Sequence, residues 1–286
     1  MRYKLPVFAT IADAYRFLGR EFGAWFRLAI VPLIIWVVID ASVQLGFLSG
    51  GLFGLQSDHA ILAYTLLNAP FVVVYLITVI ILFMYAVALH RLVLIGPGSV
   101  PGLSWVAWHA RHWRYLGRGL VTASVFVIAF IISATFVPAI GTAAGTAGIL
   151  ESAAGQVTLT VIVLLLFAVP TALLTCMTLP ALSAAAADDD AVDMAEASNQ
   201  ARGNLWRMTF VFGLGLLLPF WLIEVAVRTV GDTVIATDGP SAGPELLVTT
   251  ALLIVNFVGF TAGVALLSAI FRRLRDNVPL RSDVPR

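Results

Sequence analysis

The stretch GAWFRLAIVPLIIW, residues 23–36, places a Trp and an Arg directly before a long apolar run. The same arrangement recurs in RHWRYLGRGL (111–120) and in GNLWRMTFVFGLGLLLPFW (203–221). Trp prefers the membrane interface, where Arg can reach lipid phosphates. The three stretches predict three copies of one unit, although Trp and Arg also occur by chance at the cytoplasmic ends of bacterial spans.

Composition places the chain among membrane proteins. Of its 286 residues, 60% are hydrophobic and 12% are charged, whereas a soluble domain carries about 25% charged residues. Six apolar runs approach the ~20 residues that a bilayer crossing needs, and only a helix satisfies its own backbone in lipid. The predicted spans are about 28–49, 69–94, 119–138, 158–182, 208–227 and 247–271. The predicted class is therefore an all-α integral membrane protein with six transmembrane helices.

Lys and Arg lie almost entirely on one side of these spans. Of the 17 basic residues, all but Arg228 fall in the terminal segments or in alternate connections. The positive-inside rule then predicts cytoplasmic N- and C-termini in a bacterial inner membrane. The predicted outer connections are 50–60, 139–157 and 228–246. The charged N-terminal segment lacks the apolar core of a signal peptide, so we expect it to stay in the mature protein.

The first cytoplasmic segment predicts an amphipathic helix. Its apolar side chains recur at helical spacing, at Phe8, Ile11, Tyr15, Leu18, Phe22 and Trp25. Its polar face consists of Asp13, Arg16, Arg20 and Arg27. A basic, aromatic-rich helix of this kind lies in the headgroup plane, with its arginines toward anionic lipid.

Two later segments resemble the first. WVAWHARHWRYLGR (105–118) is rich in Trp, His and Arg and predicts a second interfacial helix. DDDAVDMAEASNQARGNLWR (188–207) predicts a third, with Asp190 as N-cap and Asp193 at the third helical position. The thin apolar face of this third helix consists of Met194, Ala197, Ala201 and Leu205.

The order of segments predicts three repeats, each an amphipathic helix followed by a transmembrane hairpin. The repeats cover 8–95, 104–187 and 188–271, and a cytoplasmic tail covers 272–286. The predicted interfacial anchors are Arg16, Arg20, Trp25, Arg27, Trp113, Arg114, Trp206 and Arg207. We expect their partners to be anionic lipid headgroups on the cytoplasmic side.

The segment LPALSAAAADDDAVDMAEASNQARGNLWRMTFVFGLGLLLPF (179–220) resembles a broad superfamily of uncharacterised bacterial multi-pass membrane proteins. That superfamily includes the membrane domain attached to some glycerophosphoryl diester phosphodiesterases. The matching residues are Pro180, Glu196, Ala197, Ser198, Gly203, Asn204 and Trp206. The resemblance implies a six-span helical fold over nearly the whole chain. It implies no activity, because catalysis in the fused members belongs to a separate soluble domain, which we do not expect here.

Four polar residues within or beside the spans form a candidate site: Asp40, Gln44, Glu224 and Asn256. Intramembrane ionisable residues are candidates for function. One interpretation is an outward-facing polar cavity for a substrate or a proton. The other is an outer interface where Asp40 and Glu224 meet water, while Gln44 and Asn256 bond neighbouring helices.

Residues for catalysis or metal binding are few. The single cysteine, Cys176, excludes an internal disulfide and lies in an apolar run, as a buried side chain does. His109 and His112 lack a clear third metal ligand, and the acidic run 188–190 fits a solvated capping turn better than a cation site. Motifs for phosphate loops, serine hydrolases and zinc proteases are missing from the sequence. We therefore predict no catalytic residue, no metal and no cofactor.

Two functions remain open. The first is a non-catalytic inner-membrane protein that acts through lipids or through a membrane protein partner. The alternative is a small-solute or lipid transporter with a polar cavity around Asp40 and Glu224. An intramembrane enzyme lacks a nucleophile–base pair, and a net charge of +1 provides no field for nucleic acid.

Overall fold

The computed structural model describes residues 3–44, 69–102, 104–146, 169–238 and 242–276, together with Ser152, Gly155, Thr158 and Ile162. The regular elements in these ranges are all helical, which confirms the predicted all-α class. The α-helices in these ranges are α1 (Val7–Arg20), α2 (Phe22–Gln44), α3 (Ala69–Leu94), α4 (Ala110–Thr146), α5 (Val169–Ala186), α6 (Met194–Ala201), α7 (Leu205–Phe212), α8 (Leu218–Asp238) and α9 (Ala242–Asp276). Short 3-10 turns lie at Pro97–Ser99 and Ser104–Val106, and a π-helical turn at Gly213–Leu217 joins α7 to α8.

Within the described ranges, four helical segments are long and apolar enough to cross a membrane. They are Phe22–Ala41, Leu76–Leu94, Leu205–Val234 and Leu246–Asp276, and Thr171–Ala186 is a shorter apolar helix. These four match the first, second, fifth and sixth predicted spans. The third predicted span, 119–138, lies inside the 37-residue α4, and the fourth, 158–182, falls partly outside the described residues.

α9 is the central helix of the bundle and contacts α1, α2, α3, α5, α7 and α8. The fully buried apolar side chains of its second half are Ala265, Leu266, Ala269, Ile270 and Phe271. Polar contacts also join α9 to α3, because the Tyr85 hydroxyl lies 2.9 Å from the Thr261 hydroxyl. The Tyr85 ring stacks on Phe257 at 5.2 Å.

α1 lies against the bundle, on α9 and α7. Its buried residues are Thr10, Ala14 and Phe17. Phe8, on the predicted apolar face, is instead 77% exposed. Asp13, which the sequence places on the lipid-facing polar side, forms a mostly buried ion pair with Arg273 of α9. The helix is present, and Ile11 and Leu18 of its predicted apolar face pack against the core. The rest of the buried face is rotated, with Asp13 turned toward Arg273 and Phe8 left exposed.

The chain turns from α1 into α2 at Glu21, before the predicted Trp25–Arg27 corner. Trp25 Nε1 donates a hydrogen bond to the Leu18 carbonyl at 2.8 Å. The indole therefore reaches back to the last turns of α1, and only 7% of Trp25 is exposed. Trp25 fixes the corner from within the core, where the sequence predicts an anchor at the membrane interface.

A π-helical turn interrupts the fifth predicted span just before a proline. Pro219 has no N–H and cannot donate to the Gly215 carbonyl four residues earlier. The Tyr15 hydroxyl donates to that carbonyl at 2.7 Å. α1 approaches so closely that a Cβ on Gly215 would lie 2.9 Å from Ile11 Cγ1. A side chain from the first segment thus satisfies a backbone group that the proline leaves without its usual donor.

The second predicted interfacial helix, 105–118, is not a separate element. A 3-10 turn covers Ser104–Val106, and α4 then runs from Ala110 to Thr146 without a break. The basic residues of this segment therefore occupy the first turns of the helix that contains the predicted third span. The residues after Ala110 favour a helix, and the apolar sequence that follows them favours one too. No helix-ending signal separates the two stretches, so they form one helix.

The third predicted interfacial helix is present as α6, but its cap is different. Asp193 Oδ1 accepts a hydrogen bond from the Glu196 backbone N–H at 2.8 Å, so Asp193 is the N-cap in place of Asp190. Ala197 and Ala201 are fully buried, as their place on the predicted apolar face implies. Asp190 is unavailable as a cap because it belongs to the turn that follows α5.

α8 and α9 are in close contact near the ends that they share. A Cβ on Gly231 would lie 2.5 Å from Val248 Cγ2, which is too short for any side chain. Gly213, at the start of the π turn, has open space around its missing Cβ. Glycine is therefore required by packing at Gly231 and is replaceable at Gly213.

Candidate functional site

The predicted interfacial anchors divide into exposed and inward-facing residues. Arg16, Arg20, Arg27, Trp113 and Trp206 are exposed. The Arg16 side chain is 80% exposed, and Trp113 and Trp206 are 63% and 56% exposed. Further exposed aromatic residues of the first segment are Phe8, Phe22 and Phe26. The remaining three anchors, Trp25, Arg114 and Arg207, contact the protein itself.

Arg207 and Asn204 hold the segment that precedes α1. Arg207 Nη1 donates to the Leu5 carbonyl at 2.9 Å. Asn204 Oδ1 accepts from the Leu5 N–H at 2.8 Å, and its Nδ2 donates to the Tyr3 carbonyl at 2.9 Å. Arg207 and Asn204 thus connect the third predicted repeat to the segment that precedes the first. Arg207, which the sequence predicts as a lipid anchor, donates to the protein itself.

Asp188 ends α5 in a conformation that is unusual for a residue with a side chain. Its φ is 59°, in the left-handed region. The Asp189 N–H donates to the Ala184 carbonyl at 2.9 Å and the Asp188 N–H to the Ala185 carbonyl at 3.4 Å. This is the Schellman pattern, in which glycine usually takes the left-handed position and Asp tolerates it. The cap fixes where the Asp188 carboxylate lies.

Three guanidinium groups converge on that carboxylate. Arg91 Nη1 donates to Oδ2 at 2.7 Å, and Arg114 Nη2 donates to Oδ1 at 2.6 Å. Arg111 Nη1 lies 3.3 Å from Oδ2. Asp188 therefore joins the end of α3 to the start of α4 through charge-assisted hydrogen bonds.

The rest of the acidic turn extends this network. Arg114 also pairs with Asp190, and Arg275 Nη1 of α9 donates to Asp189 at 2.9 Å. Arg118 Nη1 donates to the Ala181 carbonyl of α5 at 2.8 Å. The ends of α3, α4, α5 and α9 thus meet at one end of the bundle, which we call the arginine end. The acidic run is an ion-pair hub, where the sequence predicts a solvated capping turn.

A small polar cavity lies beside this hub, between the end of α3, the connection that follows and the start of α4. It has a volume of about 40 Å³. Its polar lining residues are Arg91, Ser99, Ser104, His109, Arg111 and His112. Trp105, one of the apolar lining residues, is buried, whereas the nearby Trp108 and Trp113 are exposed.

His109 and His112 form a local cap at the start of α4. The His109 backbone N–H donates to His112 Nδ1 at 2.9 Å. An imidazole nitrogen accepts only when the ring is neutral, and burial lowers the pKa of His112 in agreement with this. Among the described residues, no group of three or more His, Cys, Asp or Glu side chains could hold a metal ion.

A buried polar cluster links α3, α5 and α9. His90 Nδ1 lies 2.7 Å from Ser268 Oγ and 3.4 Å from Ser183 Oγ, and all three residues are fully buried. The Ser268 hydroxyl can also donate to the Val264 carbonyl at 2.9 Å, which leaves its oxygen able to accept from His90 in the tautomer that carries the proton on Nδ1. His90 Nε2 is buried with no hydrogen-bond partner among the described residues. The cluster fixes how the three helices pack.

The candidate polar site around the spans is only partly assembled. Glu224 and Asn256 line one open groove of about 640 Å³ between α8 and α9, together with two glycines and with Leu, Phe and Trp side chains. Asp40 is not among the lining residues, and the side chain of Gln44 falls outside the described part of the structure. Glu224 is paired, because its Oε1 accepts from Arg228 Nη2 at 2.7 Å.

Several polar residues of the structure were not predicted as contacts. His90 could have been predicted from the sequence, because an ionisable residue near the end of an apolar run is a candidate for a buried polar contact. Asp13 and Asp188 carry no such signal, because a lone carboxylate on a basic helix and a run of three aspartates are both typical of solvated surfaces. No family profile matches the chain, and no curated protein or solved structure shows significant similarity to it.

Proposed function

We propose that the chain is a non-catalytic multi-pass protein of the bacterial inner membrane that acts through anionic lipids on its cytoplasmic side. In this proposal it has six spans in three repeats, with both termini in the cytoplasm. The four apolar helices support the membrane part, and the meeting of four helix ends at the arginine end supports a common side for the basic residues.

One observation carries the lipid part of the proposal. α1 uses one face to pack on the bundle, and α1 together with the first turns of α2 leaves aromatic residues exposed next to exposed arginines. The exposed aromatic residues are Phe8, Tyr15, Phe22 and Phe26, and the exposed arginines are Arg16, Arg20 and Arg27. A helix with this outer face lies at the membrane surface, with rings among the acyl chains and guanidinium groups at the phosphates.

The transporter alternative has less support. Its two acids do not share a lining surface, since Glu224 lies on the groove between α8 and α9 and Asp40 does not. Glu224 also has Arg228 as an ion-pair partner. The resemblance to the superfamily that includes the membrane domain of glycerophosphoryl diester phosphodiesterases agrees with a membrane protein and favours neither function.

The test compares lipid retained by the full chain and by a triple variant, Arg16→Gln, Arg20→Gln, Arg27→Gln. Both are assembled in nanodiscs of equal phosphatidylethanolamine and phosphatidylglycerol, partly delipidated, and examined by mass spectrometry. An arginine near an anionic surface contributes about 1 kcal/mol, so the ratio of retained phosphatidylglycerol to phosphatidylethanolamine should fall severalfold.

The matched control is Arg228→Gln, which removes an exposed arginine from the predicted outer side. It should leave the retained lipid ratio unchanged. An unaltered ratio in the triple variant, or an equal fall in the control, would contradict the proposed lipid interaction.

A further inference from the structure

The side chains that line the polar cavity at the arginine end favour an anion. Its polar lining consists of two guanidinium groups, two imidazoles and two hydroxyls, and no carboxylate lines it. Guanidinium groups offer only donors, and the Ser104 hydroxyl can donate to an oxyanion. The Ser99 hydroxyl donates to the Gly96 carbonyl at 2.6 Å and would have to turn to reach a ligand. Two arginines on its wall repel a metal cation, so the donor set selects negative charge.

The local charge is not balanced by the protein. Arg91, Arg111 and Arg114 surround Asp188, and Asp190 is the only other carboxylate that pairs with any of these three arginines in the described structure. Burial lowers the pKa of Arg111, and the neighbouring Arg91 lowers it further, as expected in a positive field.

One donor beside the cavity also lacks an acceptor. Arg91 Nε is buried and has no hydrogen-bond partner among the described residues, although the same side chain donates through Nη1 to the protein. A buried, charged N–H without an acceptor is costly, so an oxyanion within its reach would be stabilised.

The position and the size of the cavity limit which anions could bind in it. A volume of about 40 Å³ holds roughly three waters at ~10–15 Å³ each, or one group of the size of a phosphate. The start of α4 lies on its wall, and the positive end of that 37-residue helix adds to the field. The exposed rings of Trp108 and Trp113 lie nearby, as residues at headgroup depth do.

We propose that the cavity between the end of α3 and the start of α4 binds one phosphate group, either in an anionic lipid headgroup or in a soluble phosphate. Arg91 and Arg111 hold the oxyanion, and Ser99, Ser104 and His109 complete its surroundings. For a lipid ligand, the site rests on the proposed lipid function and gives it a specific headgroup contact.

The experiment uses the full chain in nanodiscs of neutral phosphatidylcholine, titrated with radiolabelled inorganic phosphate. A second arm adds phosphatidic acid to the bilayer and counts the lipid that survives delipidation. Saturable binding of one phosphate or one phosphatidic acid per chain is the expected result, and the arm that shows it identifies the source. Wild-type protein that binds neither overturns the site.

Two variants move the affinity in opposite directions. Arg111→Gln should weaken binding about tenfold or more, because a charge-assisted contact is lost. Asp188→Asn should strengthen binding severalfold, because the carboxylate that competes for the arginines is neutralised while Asn still tolerates the left-handed conformation. Arg202→Gln, an exposed arginine outside the cavity, is the matched control and should bind as the wild type does.

A variant that merely unfolds the protein lowers binding and cannot raise it, so a gain in Asp188→Asn separates the site from a structural effect. Equal affinities for wild type and Arg111→Gln, or weaker binding in Asp188→Asn with a monodisperse protein, overturn the site. The triple variant at Arg16, Arg20 and Arg27 distinguishes the two proposals. The surface interaction predicts that this variant loses bulk anionic lipid, and the cavity predicts that it keeps the single phosphate. Unaltered bulk lipid with the phosphate retained overturns only the surface interaction, whereas loss of both overturns only the site.

Discussion

Breaking the ion pair between Asp13 and Arg273 should destabilise the protein far more than breaking the neighbouring pair between Asp13 and Arg16. The Arg273 and Asp13 side chains are 8% and 12% exposed, whereas Arg16 is 80% exposed and lies 3.9 Å from the same carboxylate. Removing one partner of a buried pair leaves an uncompensated charge and costs about 3–5 kcal/mol. An exposed pair contributes about 0–1 kcal/mol.

Asp13→Asn should therefore cost about 3 kcal/mol, at the lower end of that range because Asp13 is not fully buried. Arg16→Gln should cost under about 1 kcal/mol. The double variant Asp13→Asn, Arg273→Met removes both charges and should recover most of the loss, with a coupling of about 2–3 kcal/mol. The stability is measured in mixed micelles by titration with SDS, followed by tryptophan fluorescence.

The reasoning fails if Arg16→Gln is as costly as Asp13→Asn. It also fails if the stability lost by the double variant equals the sum of the losses in the single variants Asp13→Asn and Arg273→Met. Either result would mean that the contact between α1 and α9 depends on packing alone and not on the buried charges.

Three further perturbations test the packing. Tyr15→Phe should cost about 1 kcal/mol in the wild-type background and less in a Pro219→Ala background, because alanine restores a backbone donor to the carbonyl that the hydroxyl now serves; equal costs in SDS titrations would exclude this coupling. Gly231→Ala should destabilise by about 1–3 kcal/mol through its clash with α9, while Gly213→Ala should be neutral or slightly stabilising. Asp193→Ala should cost about 1 kcal/mol and speed amide hydrogen exchange in α6 alone; uniform exchange across the bundle would show that the cap acts elsewhere.

Much of the helical layout follows from the sequence, because apolar length and backbone satisfaction in lipid leave few alternatives. The apolar runs near Trp36 and Leu253 appear as candidate spans, and α6 forms where its acidic start and buried alanines predict it. Helix breaks were harder to predict. The sequence predicts a separate helix for 105–118 and does not predict the π turn before Pro219, because both features depend on neighbouring segments as well as on local propensity.

The candidate site was predicted least well. The sequence predicts the anchors from Trp and Arg that precede an apolar run, and this pattern does not indicate where a side chain points. Trp25 bonds back to α1 and is buried, whereas Trp113 is exposed, although both occupy the same place in the pattern. The sequence groups Glu224 and Asp40 by their depth in the membrane. Depth does not show toward which side of its helix each carboxylate points, and only Glu224 lies on the groove.

Composition and the order of residues along the chain are enough to predict that this protein is helical and apolar enough for a membrane, and that its arginines lie in alternate segments. Only the folded arrangement of the helices shows which arginines remain exposed and which pair with carboxylates. Arg16 is exposed and Arg114 pairs with Asp188, because the Schellman turn after α5 brings a carboxylate to the start of α4. A charge whose partner lies more than 70 residues away (74 for this pair) can be assigned only after the chain has folded.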